Sequence, residues 1–334
     1  MGRLVDGQWS TEWYQPDGQG RFVRPPTRFR GNVRGPSDPP GDPDFVAAAG
    51  RYHLYVSLAC PWAHRTLIVR ALLGLERAID VSVVDHFMGA DGWRFDPSVP
   101  GATSDKLLGS QFLREVYVAA DPHYTGRVTV PILWDRERNT IVNNESREII
   151  RMLDHAFVEV AERPVDLCPP DLRERVDAAI DAIYEPINNG VYRAGFAGSQ
   201  AAYDDAVREL FAALDRCEQV LGRQRWLAGD RPTEADVCLF TTLLRFDPVY
   251  HGHFKCNLRR IVDYPNLWGF VRELWQVPAI AATCDLDHIR KHYYASHEGI
   301  NPTRIVAIGP ALDYAAPHGR ARVGGVAAAE LFAS

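Results

Sequence analysis

Between Tyr55 and Glu76 the chain reads YVSLACPWAHRTLIVRALLGLE, and inside that stretch an extended run turns into a helical one at a Cys-Pro step. Tyr52, Leu54 and Val56 alternate with His53, Tyr55 and Ser57, the period of two of a half-buried strand. After the step, Ala63, Leu67, Ala71 and Leu75 recur every fourth residue and Ile68 and Leu72 widen the stripe, which is the spacing of an amphipathic helix. Pro61 suits the first turn of that helix, where its missing N–H would have had no intrahelical partner. A further apolar run, Ile79–Val84, follows. Strand, helix and strand make a βαβ unit, so the two strands are expected to be parallel.

This order puts Cys60 at a helix N-terminus, where unpaired amides and aligned peptide dipoles favour negative charge. Thiols in such places have pKa values of about 3.5–7.5 instead of roughly 8.5, so the expected working form is the thiolate. The alternative is a buried, inert cysteine. His64 and Arg65 either add positive field or point to solvent. A dithiol oxidoreductase carries a second cysteine three residues on, and here that residue is Ala63. Cys60 must therefore find its thiol partner elsewhere, and glutathione is the cell's abundant small thiol.

Composition narrows the partners. Lys plus Arg number 37 against 43 for Asp plus Glu, a net charge of −6 that disfavours nucleic acid. Hydrophobic residues at 46% and charged residues at 24% indicate neither disorder nor a membrane protein. The start, MGRLVDGQWSTEWYQ, has no apolar run for a secretory signal, and Asp6 stands where a myristoylation signal needs Ser or Thr. Cys60, Cys168, Cys217, Cys238, Cys256 and Cys284 include no CxxC pair, which fits a reducing, cytoplasmic setting. His251, His253 and Cys256 lie close together in HGHFKC, but no second pair of ligands accompanies them, so the expectation is a loop or pocket rim and no metal.

Along the rest of the chain, RPPTRFRGNVRGPSDPPGDPD is too rich in Pro, Gly and Asp for a regular element. A long insertion, Asp85–Gly126, carries Trp93 and a helix in LLGSQFLREVYVAA. RVTVPILWD and NTIVNN read as a hairpin around a polar turn at Arg136–Asn139, with Pro131 marking an edge, a bulge or a cis bond. A helix follows from NNES, capped by Asn144 or Ser146. ERPVDLCPPD reads as a linker, and from Asp171 the spacing is helical: Leu172 to Val191, Tyr203 to Leu221, a helix capped by Thr233 with Asp236 three residues on, and DYPNLWGFVRELW.

This order, together with CPWAHR, GWRF, VTVPILWD, NNES, INNGVYRAGFA, RFDPVYHGHFKCN and HYYASHEGINPTRIVAIGP, resembles the Xi class of glutathione transferases, the glutathionyl-hydroquinone reductases. The likeness runs from Arg51 to Pro310. It implies an α/β thioredoxin-like N-terminal domain over 50–160 and an all-α domain over 171–310 carrying the hydroquinone site, flanked by a loop-rich extension (1–49) and a tail (311–334). It also implies a mixed disulfide between Cys60 and glutathione. Glu145 would meet the γ-glutamyl ammonium, Ser146 and its helix start the carboxylate, and Val130, before a cis Pro131, the cysteinyl peptide. Trp93 and Arg127 are implied as further glutathione contacts, and Tyr192 and Tyr293 as hydrogen-bonding partners of a quinol oxygen. A homodimer is usual in that superfamily. The rival readings are an Omega-like thioltransferase or dehydroascorbate reductase and a non-catalytic, transferase-like binding module.

Overall fold

The computed structural model describes residues 2–41 and 45–333. Residues 42–44, the end of the proline-rich stretch read as irregular, and Ser334 of the tail lie outside the described residues. The chain forms two compact units: Met1–Trp13, Pro25–Pro164 and Asp287–Ser296 in the first, and Tyr14–Arg24, Val165–Leu286 and His297–Ser334 in the second. Each unit draws on more than one stretch of the chain. The extension contributes to both units, and most of one late helix belongs to the first.

The first unit is built on a four-stranded sheet. β5 (Tyr52–Val56) lies beside β6 (Ile79–Val83) in parallel, with Tyr52 opposite Ile79 and Val56 opposite Val83. On its other side β5 runs antiparallel to β8 (Ile132–Asp135), which pairs with β9 (Thr140–Asn143). α1 (Pro61–Leu72) makes the crossover, and α3 (Ser146–Ala156) packs against it. β5 is not half-buried as its alternation suggests: all five residues are buried, because the Asp85–Gly126 insertion covers the second face. Tyr55 donates its hydroxyl to Asp105 at 3.1 Å, and His53 shares a 2.8 Å hydrogen bond with Ser82. Burial lowers the His53 pKa to about 4, so its ring is neutral near pH 7.

Three elements differ from expectation, each for a local reason. The run RVTVPILWD splits in two: β7 (Gly126–Arg127) joins another sheet, and β8 starts only after the cis Val130–Pro131 bond, since proline has no N–H for the ladder. The insertion's helix, α2, covers only Leu113–Ala120. Before it, Asp105 accepts the amides of Leu107, Leu108 and Ser110, and Gly109 has a φ of 70°, which together hold a loop. The proline-rich stretch does hold a short element, β3 (Val33–Arg34), paired in parallel with β4 (Phe45–Val46).

The N-terminal hairpin was not foreseen. β1 (Arg3–Val5) and β2 (Gln8–Ser10) are joined by Asp6 and Gly7, whose φ values of 49° and 73° fit a type I′ turn, and β1 also pairs with β7. An Asp-Gly pair between apolar residues is a recognisable hairpin signal.

The second unit is helical. α4 (Arg173–Ile183) passes through a widened π turn, Tyr184–Asn188, into α5 (Gly190–Gly195), and α7 (Glu234–Arg245) ends in another, Phe246–Tyr250. Pro186 and Pro248 sit in these turns, and a proline that cannot donate to the ladder favours such widening. The long α6 (Gln200–Arg223) starts at Ser199, whose side chain accepts from the Ala202 amide. Thr233 caps α7 as its spacing suggested: its amide and hydroxyl both donate to Asp236, at 2.9 and 3.0 Å. α8 (Pro265–Trp275), α9 (Pro278–Ala281) and α10 (Leu286–Ser296) follow, with α10 from Asp287 belonging to the first unit. The tail ends in α11 (Ala328–Leu331) and is bound in place: Trp226 donates to the Val326 carbonyl at 2.8 Å, and Gln276 to those of Tyr314 and Ala316. Among the described residues, no helix is long and apolar enough to cross a membrane.

Candidate active site

Cys60 is the N-cap of α1, with extended backbone (φ −75°, ψ 121°) and Pro61 at the first helical position. Its carbonyl accepts the His64 amide at 2.9 Å, the first bond of the helix. Its thiol, partly exposed, donates to the Val130 carbonyl at 3.6 Å, beside the cis Val130–Pro131 bond. Among the described residues no disulfide joins the six cysteines. Burial pushes the Cys217 and Cys284 thiols up to about 12 and raises that of Cys256 as well, which keeps them protonated near neutrality.

A second helix start lies at α3. Its cap is Glu145, whose carboxylate accepts the Arg147 amide at 3.3 Å, and not Asn144 or Ser146 as the sequence suggested. Asn143 fixes the Glu145 amide at 2.7 Å, while Asn144 is committed to Tyr117 and to the Phe29 amide. Ser146 is buried, and Arg65 donates to its hydroxyl at 3.4 Å. Arg65 does not point to solvent: it is 1% exposed, with its guanidinium 4.4 Å from the Trp62 ring centre. A buried cation from α1 thus reaches the first residue of α3. That combination of amide ends and positive charge suits a carboxylate ligand.

Trp93 and Tyr293 are joined through His292. The Trp93 ring stacks on His292 with centres 4.8 Å apart, and His292 meets Tyr293 edge-on at 5.2 Å. The His292 ring is oriented by a 2.7 Å hydrogen bond between Nδ1 and the His86 carbonyl. Arg127 faces the N-terminal segment, donating to the carbonyls of Glu12 at 2.5 Å and Gly2 at 3.3 Å. Tyr192 belongs to the second unit. There its ring, 9% exposed, packs against Phe196, Tyr250 and Phe254. His253, considered above as a metal ligand, faces His297 at 3.1 Å, and burial lowers its pKa to about 4.

Residues 59–156 match the family model for the glutathione S-transferase N-terminal domain, and residues 200–273 match that for the C-terminal domain. The chain is 54% identical to the glutathionyl-hydroquinone reductase YqjG of Escherichia coli over 96% of its own length and 98% of that protein's. A solved Xi-class glutathione transferase from Natrialba magadii superposes with a TM-score of 0.91 at 54% identity, covering 98% of each chain. The chain belongs to the Xi class of glutathione transferases. A glutathione-bound structure of YqjG is similarly close to this Xi-class chain, with a TM-score of 0.86 at 52% identity over 96% of this chain and 99% of that one. The glutathionyl-hydroquinone reductase PcpF of Sphingobium chlorophenolicum is 51% identical over 93% of this chain and 97% of its own.

Within this Xi-class fold, two site residues escaped sequence reasoning. The burial of Arg65 is not legible in sequence, because helical periodicity gives the face of a residue and not the depth of its cover. His292 stands next to Tyr293 in HYYAS, and the only signal for it was that adjacency.

Proposed function

We propose that this chain is a glutathione-dependent reductase of glutathionyl-hydroquinones working through Cys60. The observation that carries the reading is a lone thiol at the start of α1, facing the Val130 carbonyl, with Ala63 where a resolving cysteine would stand. Such a thiol can take up a glutathionyl group, and its helix carries no second cysteine to displace it. The Cys60 thiolate attacks the glutathionyl sulfur of the substrate. A sulfur–sulfur bond forms as the aryl carbon–sulfur bond breaks, the electron pair stays with the ring, and the ring carbon takes up a proton to give hydroquinone. A glutathione thiolate then attacks the mixed disulfide, Cys60 leaves as thiolate, and oxidised glutathione is released. The ring is reduced, and one glutathione thiol is oxidised into the disulfide.

In this reading Glu145, Ser146, Val130, Trp93 and Arg127 hold glutathione. Support comes from the two helix starts bridged by Arg65 and from the glutathione-bound YqjG relative. Tyr192 and Tyr293 serve the quinol, as hydrogen-bond or proton donors to a ring that gathers charge as the carbon–sulfur bond breaks. The enzyme acts as a cytoplasmic homodimer, without nucleic acid, membrane or metal. Incubation with glutathionyl-menadiol and glutathione tests the assignment: free quinol and oxidised glutathione should appear in equal amounts. A second reading, thiol transfer of the Omega kind, draws on the same lone cysteine and on a 49% identical Schizosaccharomyces pombe relative called omega-like. Disulfide reduction without quinol release would favour it.

Ser146→Ala and Glu145→Ala are each expected to weaken glutathione binding by about 1–3 kcal/mol, the scale of a lost charge-assisted hydrogen bond. Calorimetric titration measures this directly. Unchanged affinity in both variants would return these residues to helix capping alone.

A further inference from the structure

The segment Tyr14–Arg24 leaves the first unit, joins the helical unit, and returns at Pro25. Within the helical unit it is secured at two levels. Its backbone is held at Gly20, whose carbonyl accepts the Gly198 amide at 2.8 Å, and at Gln19, whose carbonyl accepts the Ser199 hydroxyl at 2.8 Å. Gly20 has a φ of 79° and passes so close to Ser199 that a Cβ there would lie 2.9 Å from its atoms. Its side chains reach the α5 region: Phe22 packs on Phe196 at 5.4 Å, and Tyr14 packs edge-on against Phe22 at 5.1 Å.

Arg24 ends this strap over Tyr192. Its guanidinium lies 5.1 Å from the centre of the Tyr192 ring, and its Nε donates to the Asn189 side-chain oxygen at 3.1 Å. Asn189 is the residue that opens α5, and its carbonyl accepts the Tyr192 amide at 2.9 Å. One side chain therefore binds both the face of the tyrosine and the residue that starts its helix. A cation over an aromatic ring is attracted to its negative face and restricts its tilt. It also withdraws electron density from the phenol, making the hydroxyl a stronger hydrogen-bond donor.

We propose that Arg24 is a positioning residue for the quinol half-reaction, acting through Tyr192. The proposal rests on the reading of Tyr192 as a quinol contact. Ring orientation and donor strength at Tyr192 matter when the aryl carbon–sulfur bond breaks. They do not enter when a simple disulfide transfers its glutathionyl group to Cys60. The two reactions should therefore respond differently to loss of the guanidinium.

The test measures kcat/KM for glutathionyl-menadiol and for a mixed disulfide of glutathione and mercaptoethanol, in wild type, Arg24→Gln and Arg24→Lys. Arg24→Gln is expected to lose about tenfold in the quinol reaction, the effect of a cation–π contact of middling strength. It should retain wild-type rates with the disulfide, and Arg24→Lys should recover most of the loss. Equal loss in both reactions would show a merely structural strap and overturn the proposal, as would an unaffected quinol reaction in Arg24→Gln. Absence of quinol release by wild type, with disulfide transfer intact, would overturn the reductase reading and this proposal together.

Discussion

Cys60→Ala is expected to lose quinol release by at least roughly a thousandfold, the scale on which removal of a covalent nucleophile is felt. Of the other five cysteines, Cys168, Cys217, Cys238 and Cys256 are buried. Cys217 and Cys284 are held protonated by burial, with pKa values pushed up to about 12, and Cys256 is raised too. Cys217→Ala and Cys284→Ala should accordingly keep most of the activity. The comparison is made by steady-state assay with glutathionyl-menadiol, with circular dichroism confirming that each variant is folded. Substantial turnover by Cys60→Ala would mean that bound glutathione itself is the nucleophile, as in a conjugating transferase.

Glu273→Ala should produce the largest loss of stability. Glu273 on α8 is 3% exposed and accepts from Arg225 at 2.8 Å and from Arg320 at 3.0 Å, two arginines that are themselves 7% and 1% exposed. It also receives the Ala328 amide at the start of α11. Arg320 further donates to the carbonyls of Leu221, Asn266 and Arg225, so its guanidinium is one of the anchors of the tail. Removing the carboxylate leaves two buried cations without their shared anion, a change that costs about 3–5 kcal/mol where one partner of a buried pair is deleted. Urea unfolding followed by tryptophan fluorescence, to which the buried Trp226 contributes, should show this loss. A loss below about 1 kcal/mol would mean that the cluster is relieved by water or by rearrangement of the tail.

The tail shows why part of the fold stayed hidden. Its Ala- and Gly-rich sequence has no periodicity, and what fixes it are groups outside the tail, among them Trp226, Gln276 and the Glu273 carboxylate on α8. The Cys60 region was legible for the opposite reason: strand period, helix period and a first-turn proline all act within a few residues of one another. The Thr233 and Asp236 pair was readable on the same grounds. Pro131 announced an interruption, but only the structure shows that the interruption divides the run between two sheets. Asp6 and Gly7 carry a local hairpin signal, but it stands inside an extension whose composition is otherwise irregular. Arg24 could not be read at all, since its significance lies in Tyr192 and Asn189, which are remote in sequence.

In the proposed reaction Cys60 takes the glutathionyl group from an aryl substrate. The most direct measurement mixes the protein with glutathionyl-menadiol in the absence of glutathione, then maps the adduct by peptide mass spectrometry while quantifying released quinol. One glutathione on Cys60 and one quinol per chain is the result predicted, followed by release of oxidised glutathione when glutathione is added. An adduct on another cysteine, or rapid conjugation of chlorodinitrobenzene with no quinol released, would contradict it.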